Sequence, residues 1–385
     1  MEDRLKEAIG RNLKAARETA GRSQEEFAAE LGISRATLSG FENGHVAIDS
    51  AKLLRASKIL GLPVADFFKD REEEMALLFR AAEDVVPRAE VRSRLRRFCE
   101  AYRELEELAG VADTLLLPPE YTYFPHLHSK HLEFAAQVAL SERERLGLGL
   151  YDPIENIFKL LDENGVRLLD VNIEQDDLYG LSGFSKQYGL CILVNTRNTM
   201  ERNIFTAAHE FGHLLMHRSF YRNADLSEAT ERDPDLEEMA DVFAGNFLVP
   251  EVGLRDVWIK SAGRKKEVNL EDVVFLKHHF RVSTKVVVRR LKDIGLTTEK
   301  ESKEILDRTY RAQPDQKVEY APLRNEKIDL IAEWKSVSRF LYLARKAALS
   351  GLISIGKLGE LMGKNVLEVR SLVQQWRKEL AVAPA

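Results

Sequence analysis

The chain has 385 residues, 44% hydrophobic and 31% charged, with a formal net charge of -5, which predicts roughly two to four globular domains and excludes a general nucleic-acid coat while allowing a local DNA-reading helix. No run approaches the about eighteen apolar residues of a membrane span, and no apolar segment follows Met1-Glu2-Asp3-Arg4 to direct export. Two cysteines, Cys99 and Cys191, make neither a disulfide framework nor a CxxC metal pair, so a reducing cytoplasm and no membrane partner are expected.

The first predicted helices cover residues 5–18 and 24–31, with Leu5, Ile9, Leu13 and Ala16 on one apolar stripe. Ser23 and Glu26 have capping-box spacing, Gly32 ends the second helix, and Ser34 caps a third over 35–42. Further helices over about 50–60 and 63–69 close a small all-α core. Helix, short turn at Gly32-Ile33, helix is the plan that sets the first residues of the second helix into the major groove. The DNA-facing side chains are then Ser34, Arg35, Thr37 and Ser39, with Arg35 reading a base, while Gln24 at a helix start suits a phosphate. Residues 1–70 carry eleven Lys/Arg against eleven Asp/Glu, so non-specific affinity is weak and binding needs a dimer or a partner. The runs Ser23-Gln24-Glu25-Glu26-Phe27-Ala28, Gly32-Ile33-Ser34, Leu38-Ser39 and Phe41-Glu42-Asn43-Gly44 resemble the Xre/Cro/C1-type repressor domain. That resemblance implies double-stranded DNA as the partner of residues 1–70, bound by a homodimer. The alternative is a protein-interaction domain that kept the fold and lost DNA.

Residues 71–115 read as charge-rich helix, with Met75, Leu78, Phe79 and Ala82 at helical spacing and the arginines of 92–97 on a solvated face. Residues 116–128 break that pattern, so 71–128 is expected to be a helical linker. Helix returns at 129–147 and 152–163. Val166–Ile173, Leu181–Ser185 and Leu190–Asn195 then read as short strands, separated by turns at Asp176-Asp177 and Gln187-Tyr188-Gly189.

An amphipathic helix over 201–217 carries His209-Glu210-Phe211-Gly212-His213. Histidines four apart project from one face and can share an ion, and Glu210 beside them can take a proton from water as general base. His217 lies about 12 Å along the axis from His209, too far to share that ion, and reads as an outer or surface histidine. The next helix offers Glu237 and Asp241, also four apart, so Glu237 can be the third ligand while Asp241 orients a histidine ring; Glu238 is the alternative ligand. Two histidines and a carboxylate take zinc, and accept manganese or iron as well. The oxyanion partner is open among Tyr179, His217 and His126. The strand Ile192–Asn195 is expected to pair with an extended substrate.

These runs carry a second resemblance. Gly180-Leu181-Ser182-Gly183, Ile192-Leu193-Val194-Asn195, Arg202 through His217, and Glu237 with Ala240-Asp241-Val242-Phe243-Ala244 to Phe247-Leu248-Val249-Pro250 are similar to the ImmA/IrrE metallopeptidase family. The likeness runs from about Ala135 to Leu296. It implies a zincin-like fold, with the ligands mapping to His209, His213 and Glu237, and cleavage of a partner repressor under stress or phage induction. An asparagine is commoner in that family where Asp241 stands.

Residues 271–295 read helix, Val282-Ser283 turn, helix, and 325–349 a long helix. Leu352-Ile353-Ser354 opens another helix–turn–helix rhythm over Gly356–Met362 and Asn365–Trp376, where Lys357, Lys364 and Arg370 face DNA or a partner. The expected organisation is multidomain and mainly α: an all-α helix-turn-helix over 1–70, the linker 71–128, a central α+β zincin-like metallopeptidase over 129–298, and a C-terminal helical module over 299–385. The expected function is a DNA-binding transcriptional regulator with zinc-dependent endopeptidase activity on a repressor. The alternative is a metal-binding regulator without proteolysis. A purely degradative peptidase fits poorly with an attached DNA-binding domain.

Overall fold

The computed structural model describes residues 2–382 apart from 62–63, 69–75, 82–88, 112–116, 123–129, 175–177, 186–187, 219–233, 263–266 and 312–328. The chain divides into two units, Met1–Glu74 and Met75–Ala385.

The first unit is a bundle of α1 (Glu2–Thr19), α2 (Gln24–Leu31), α3 (Arg35–Glu42), α4 (Ser50–Leu60) and α5 (Val64–Phe68). The Ser23 hydroxyl accepts from the Glu26 N–H and the Glu26 carboxylate accepts from the Ser23 N–H, closing the capping box expected from the sequence. Gly32 adopts φ 74°, the left-handed conformation that lets the chain turn directly into the Ser34 cap of α3. Leu13, Phe27, Leu31, Leu38 and Phe41 fill the core. α1 passes close to α3 at Gly10, where a β-carbon would stand 2.3 Å from the Phe41 carbonyl.

The second unit is built on a four-stranded sheet of β1 (Ala76–Ala81), β2 (Val166–Val171), β3 (Leu178–Ser185) and β4 (Gly189–Asn195), in the order β1-β3-β4-β2. β4 runs antiparallel to β3 and parallel to β2, and β1 runs antiparallel to β3. Side chains alternate across β4: Leu190, Ile192 and Val194 enter one core, Cys191 and Leu193 another. The first core is covered by α7 (His131–Arg145), α8 (Ile157–Glu163), α9 (Met200–Met216) and α10 (Pro234–Leu248). α11 (Glu251–Ala262), α12 (Leu270–Phe280), α13 (Thr284–Asp293), α14 (Glu299–Arg311) and α15 (Leu330–Val337) also contribute side chains to it. The opposite face is covered by the first half of α6 (Ala89–Leu108) through Val91, Leu95 and Cys99. The second half of α6, with Tyr102 and Leu105, packs on α16 (Arg339–Leu349), α17 (Ile355–Met362) and α18 (Val366–Val382). No helix among the described residues is long and apolar enough to cross a membrane.

The expected linker over 71–128 is corrected by these elements. Met75, Leu78, Phe79 and Ala82 have helical spacing, yet residues 76–81 form β1, because a short, mostly apolar segment broken only by Arg80 reads equally as strand and an open strand edge on β3 decides between them. α6 is a core helix, each of its buried leucines contributing about 1.5–3 kcal/mol relative to exposure. Residues within 116–128 also dock: the Tyr121 N–H donates to the Leu215 carbonyl at 2.8 Å, and Arg218 donates to the Pro118 carbonyl at 3.1 Å. The single long helix expected over 325–349 is two helices, broken at Ser338, whose hydroxyl caps α16. The turns at Asp176-Asp177 and Gln187 lie outside the described residues.

Candidate functional site

α9 starts at Thr199, whose hydroxyl accepts from the Arg202 N–H, and ends with His217 as its C-cap. Glycines let it pack on both sides: a β-carbon at Gly180 of β3 would stand 2.2 Å from the Thr206 methyl, and one at Gly212 of α9 itself would stand 2.8 Å from the Phe243 ring of α10. The spacing of four sets the His209 and His213 Nε2 atoms 3.1 Å apart. α10 brings Glu237 to them, with one carboxylate oxygen 3.5 Å from His209 Nε2 and the other 3.4 Å from His213 Nε2. Two ligand atoms of a tetrahedral ion, each about 2.0–2.1 Å from it, stand about 3.3 Å from one another. The three separations fit that geometry, and all three groups fall within 4.8 Å.

The outer ring nitrogens are engaged elsewhere. His209 Nδ1 lies 2.9 Å from an Asp241 carboxylate oxygen, and His213 Nδ1 lies 2.8 Å from His217 Nδ1. A proton held on Nδ1 leaves the Nε2 lone pair directed inward, the tautomer a cation needs. The other oxygen of Asp241 accepts from Arg289 of α13 at 3.2 Å. Burial pushes the Glu237 carboxyl up, but hydrogen bonds from His209 and His213 outweigh it and hold the group well below the usual carboxylate range. It is therefore ionised at neutral pH. Burial, with His213 and His209 adding to it, pushes His217 well below the ordinary histidine value, so its ring is neutral.

Glu210 is fully buried. One of its oxygens accepts a hydrogen bond from the Ser182 hydroxyl of β3. The other is buried with no hydrogen-bond partner among the described residues. A buried carboxylate oxygen without a donor is costly, so this atom marks a place built for a group outside the protein. Glu238, the alternative third ligand, is exposed on the far side of α10. Of the candidate oxyanion partners, Tyr179 is stacked under the Arg202 guanidinium at 4.1 Å, His217 faces His213, and His126 lies outside the described residues. Sequence reasoning missed Ser182 and Arg289. Ser182 has a signal, a small polar residue between Gly180 and Gly183 in a largely apolar strand; Arg289 has none, because it reaches the site only through the packing of α13.

The helix-turn-helix face is organised differently. Arg35 is two-thirds exposed and pairs with Glu25 at 3.0 Å. Ser34 caps its own helix and its hydroxyl meets that of Thr37 at 2.8 Å; Ser39 accepts from the Asn43 amide at 3.2 Å. Gln24 is turned inward: its amide donates to Glu42 at 2.7 Å, and Glu42 is held by the buried Arg17 at 2.6 Å. A phosphate reached by the Gln24 side chain would have to compete with that bond.

Residues 161–292 match the peptidase family described as IrrE N-terminal-like domain, and residues 13–67 match the family described as Helix-turn-helix. The chain thus carries an N-terminal Xre-type helix-turn-helix domain and a central IrrE N-terminal-like domain. No curated protein matches it. Among solved structures it is similar to a Mycobacterium tuberculosis transcriptional regulator, with 13% identity and a TM-score of 0.30 over 50% of this chain and 51% of that one. It is similar to Bacillus thuringiensis PlcR in complex with the peptide PapR7 and DNA, with 10% identity and a TM-score of 0.17 over 97% and 96% of the two chains. It is also similar to the apo form of the competence regulator ComR from Streptococcus vestibularis, with 12% identity and a TM-score of 0.17 over 84% and 100%. The chain spans about half the length of the first of these regulators.

Proposed function

We propose that this protein is a transcription regulator that binds double-stranded DNA through residues 1–70 and hydrolyses a peptide bond of a partner repressor at the centre formed by His209, His213, Glu237 and Glu210. The observation that carries this reading is the free oxygen of Glu210. A cation that only braces the fold needs ligands, and has no use for a buried carboxylate held beside them with one oxygen unengaged.

A divalent cation held by His209, His213 and Glu237 supplies Lewis acidity, polarising a carbonyl and lowering the pKa of water; zinc suits these ligands, with manganese as the second candidate. Ser182 donates to one oxygen of Glu210 and fixes the carboxylate. The other oxygen then takes a proton from the attacking water and returns it to the leaving amine as the C–N bond breaks. Asp241, steadied by Arg289, keeps the His209 ring in place.

The substrate cannot pair with Ile192–Asn195, because β4 is interior and both its edges are bonded. β3, which carries Ser182 beside the centre, is bonded on its other side only by the outer strand β1, with Leu78 opposite Ser182. An extended substrate seated there takes the place of β1. Since residues 1–70 carry no net charge, a homodimer supplies the second DNA contact that one domain lacks.

The test is to incubate the purified chain, with zinc or with manganese, with a candidate partner repressor, and to map products by mass spectrometry. Wild type yields a defined cleavage and Glu210→Gln does not. If both leave that repressor intact while the metal is bound, the reading gives way to a metal-binding regulator without proteolysis.

A further inference from the structure

The two ends of the chain share a pattern of residues that the peptidase reading does not use. From the cap Ser23, nine residues lead to Gly32 and two more to the cap Ser34; from Ser354, nine lead to Gly363 and two more to Asn365. Both glycines are left-handed, at φ 74° and 62°. Both second caps hold the next helix through side-chain oxygens, Ser34 on the Thr37 N–H and Asn365 on the Glu368 N–H. Four residues past each cap, Leu38 and Val369 are fully buried. Five residues past the first cap both sites are small, Ala28 and Gly359, and a β-carbon at Gly359 would stand 2.8 Å from the Lys364 carbonyl. In both motifs the turn closes on the first helix through the same backbone bond, the Ile33 N–H donating to the Ala28 carbonyl at 3.0 Å and the Lys364 N–H to the Gly359 carbonyl at 2.9 Å.

The exposed side of α18 is basic. At about 100° per residue, Leu367, Arg370, Ser371, Gln374, Arg377 and Lys378 fall within roughly 120° of one another. They lie opposite the buried Val369, Val373 and Trp376. Lys364, in the turn, is exposed where Ile33 of the first unit packs on its core. Lys364, Arg370, Arg377 and Lys378 make no ion pair among the described residues, whereas the acids of the helix are engaged internally. Glu368 accepts from the Asn365 N–H at 3.0 Å, and Glu379 pairs with Arg345 at 2.8 Å. Residues 364–378 thus hold four cations against one carboxylate in a chain whose net charge is -5.

We infer that residues 354–378 are a second duplex-DNA-reading unit, in which the start of α18 enters the major groove and Arg370, Arg377 and Lys378 meet the phosphates. Arg370 occupies the register of Ser39 in α3, and Val366 and Leu367 occupy those of Arg35 and Ala36, where apolar side chains meet thymine methyls. The test uses the full chain and fluorescence anisotropy with a mixed-sequence duplex of about thirty base pairs, titrated with KCl. Arg370→Glu with Arg377→Glu lowers the affinity about tenfold and flattens the slope of log K against log salt by about 2, while both changed to lysine keep the slope. The same pair lowers affinity further in an Arg35→Glu background, since the two units are separate. Unchanged affinity and slope in a variant that melts like wild type overturns the inference and leaves this face to an acidic protein partner; so does a wild-type chain that fails to bind the duplex.

Discussion

In the centre between α9 and α10 the ring nitrogens and one carboxylate oxygen are buried and held by a neighbour: His209 by Asp241, His213 by His217, one oxygen of Glu210 by Ser182, with, of these, only the Asp241–Arg289 pair reaching solvent. On α3 the polar atoms are exposed and are occupied by one another: Arg35 by Glu25, Ser34 by Thr37, Ser39 by Asn43. In the first region a side chain removed leaves a buried partner unsatisfied, and water cannot replace it. In the second, water replaces the lost bond at almost no cost, and the same side chains swap one partner for another when a ligand arrives. Substitutions should therefore act as switches in the centre and as graded weights on the DNA face.

The largest expected effect is that of His213→Ala, which leaves two ligands and removes bound metal; elemental analysis of the purified variant that still finds one ion per chain would break the ligand assignment. Asp241→Asn keeps the shape but weakens the hold on His209, and metal affinity falls about 10- to 100-fold by competition with a chelator. Arg289→Ala lies one bond further out, so its loss of affinity in the same titration is smaller than that of Asp241→Asn, and an equal loss would mean that Arg289 acts on the centre directly. Arg35→Ala, on the exposed face, costs about 1–3 kcal/mol of discrimination at one base pair of the preferred DNA site with melting unchanged; a loss uniform across sequences would demote Arg35 to a phosphate contact. Gly212→Ala tests the packing that presents the centre: its methyl meets the Phe243 ring at 2.8 Å, and thermal unfolding should report a loss of about 1–3 kcal/mol.

The same contrast governs what the sequence disclosed. Helix boundaries in the first unit were legible because each rests on a local cap: Ser23 with Glu26, Gly32, Ser34. The pairing of His209 with His213 on one helix face and of Glu237 with Asp241 on another was legible because helical spacing of four is geometry. Contacts made across elements were not. β1 looked helical because its fate depends on the open edge of β3 more than a hundred residues on. Ile192–Asn195 looked available to a substrate because one strand does not disclose its neighbours on both sides. Gln24 looked ready for a phosphate because its position at a helix start is local, whereas its bond to Glu42 is not. Arg289 belongs to the same class: 48 residues separate it from Asp241.

The metal and the chemistry are separated most directly by loading wild type, Glu210→Gln and His213→Ala with zinc, measuring bound metal, and following single-turnover cleavage of the repressor substrate on the same samples. Glu210→Gln should retain one ion per chain and lose cleavage by about 10²- to 10⁴-fold, the contribution of a positioned base, while His213→Ala loses both. Cleavage by metal-loaded Glu210→Gln at the wild-type rate would contradict the account.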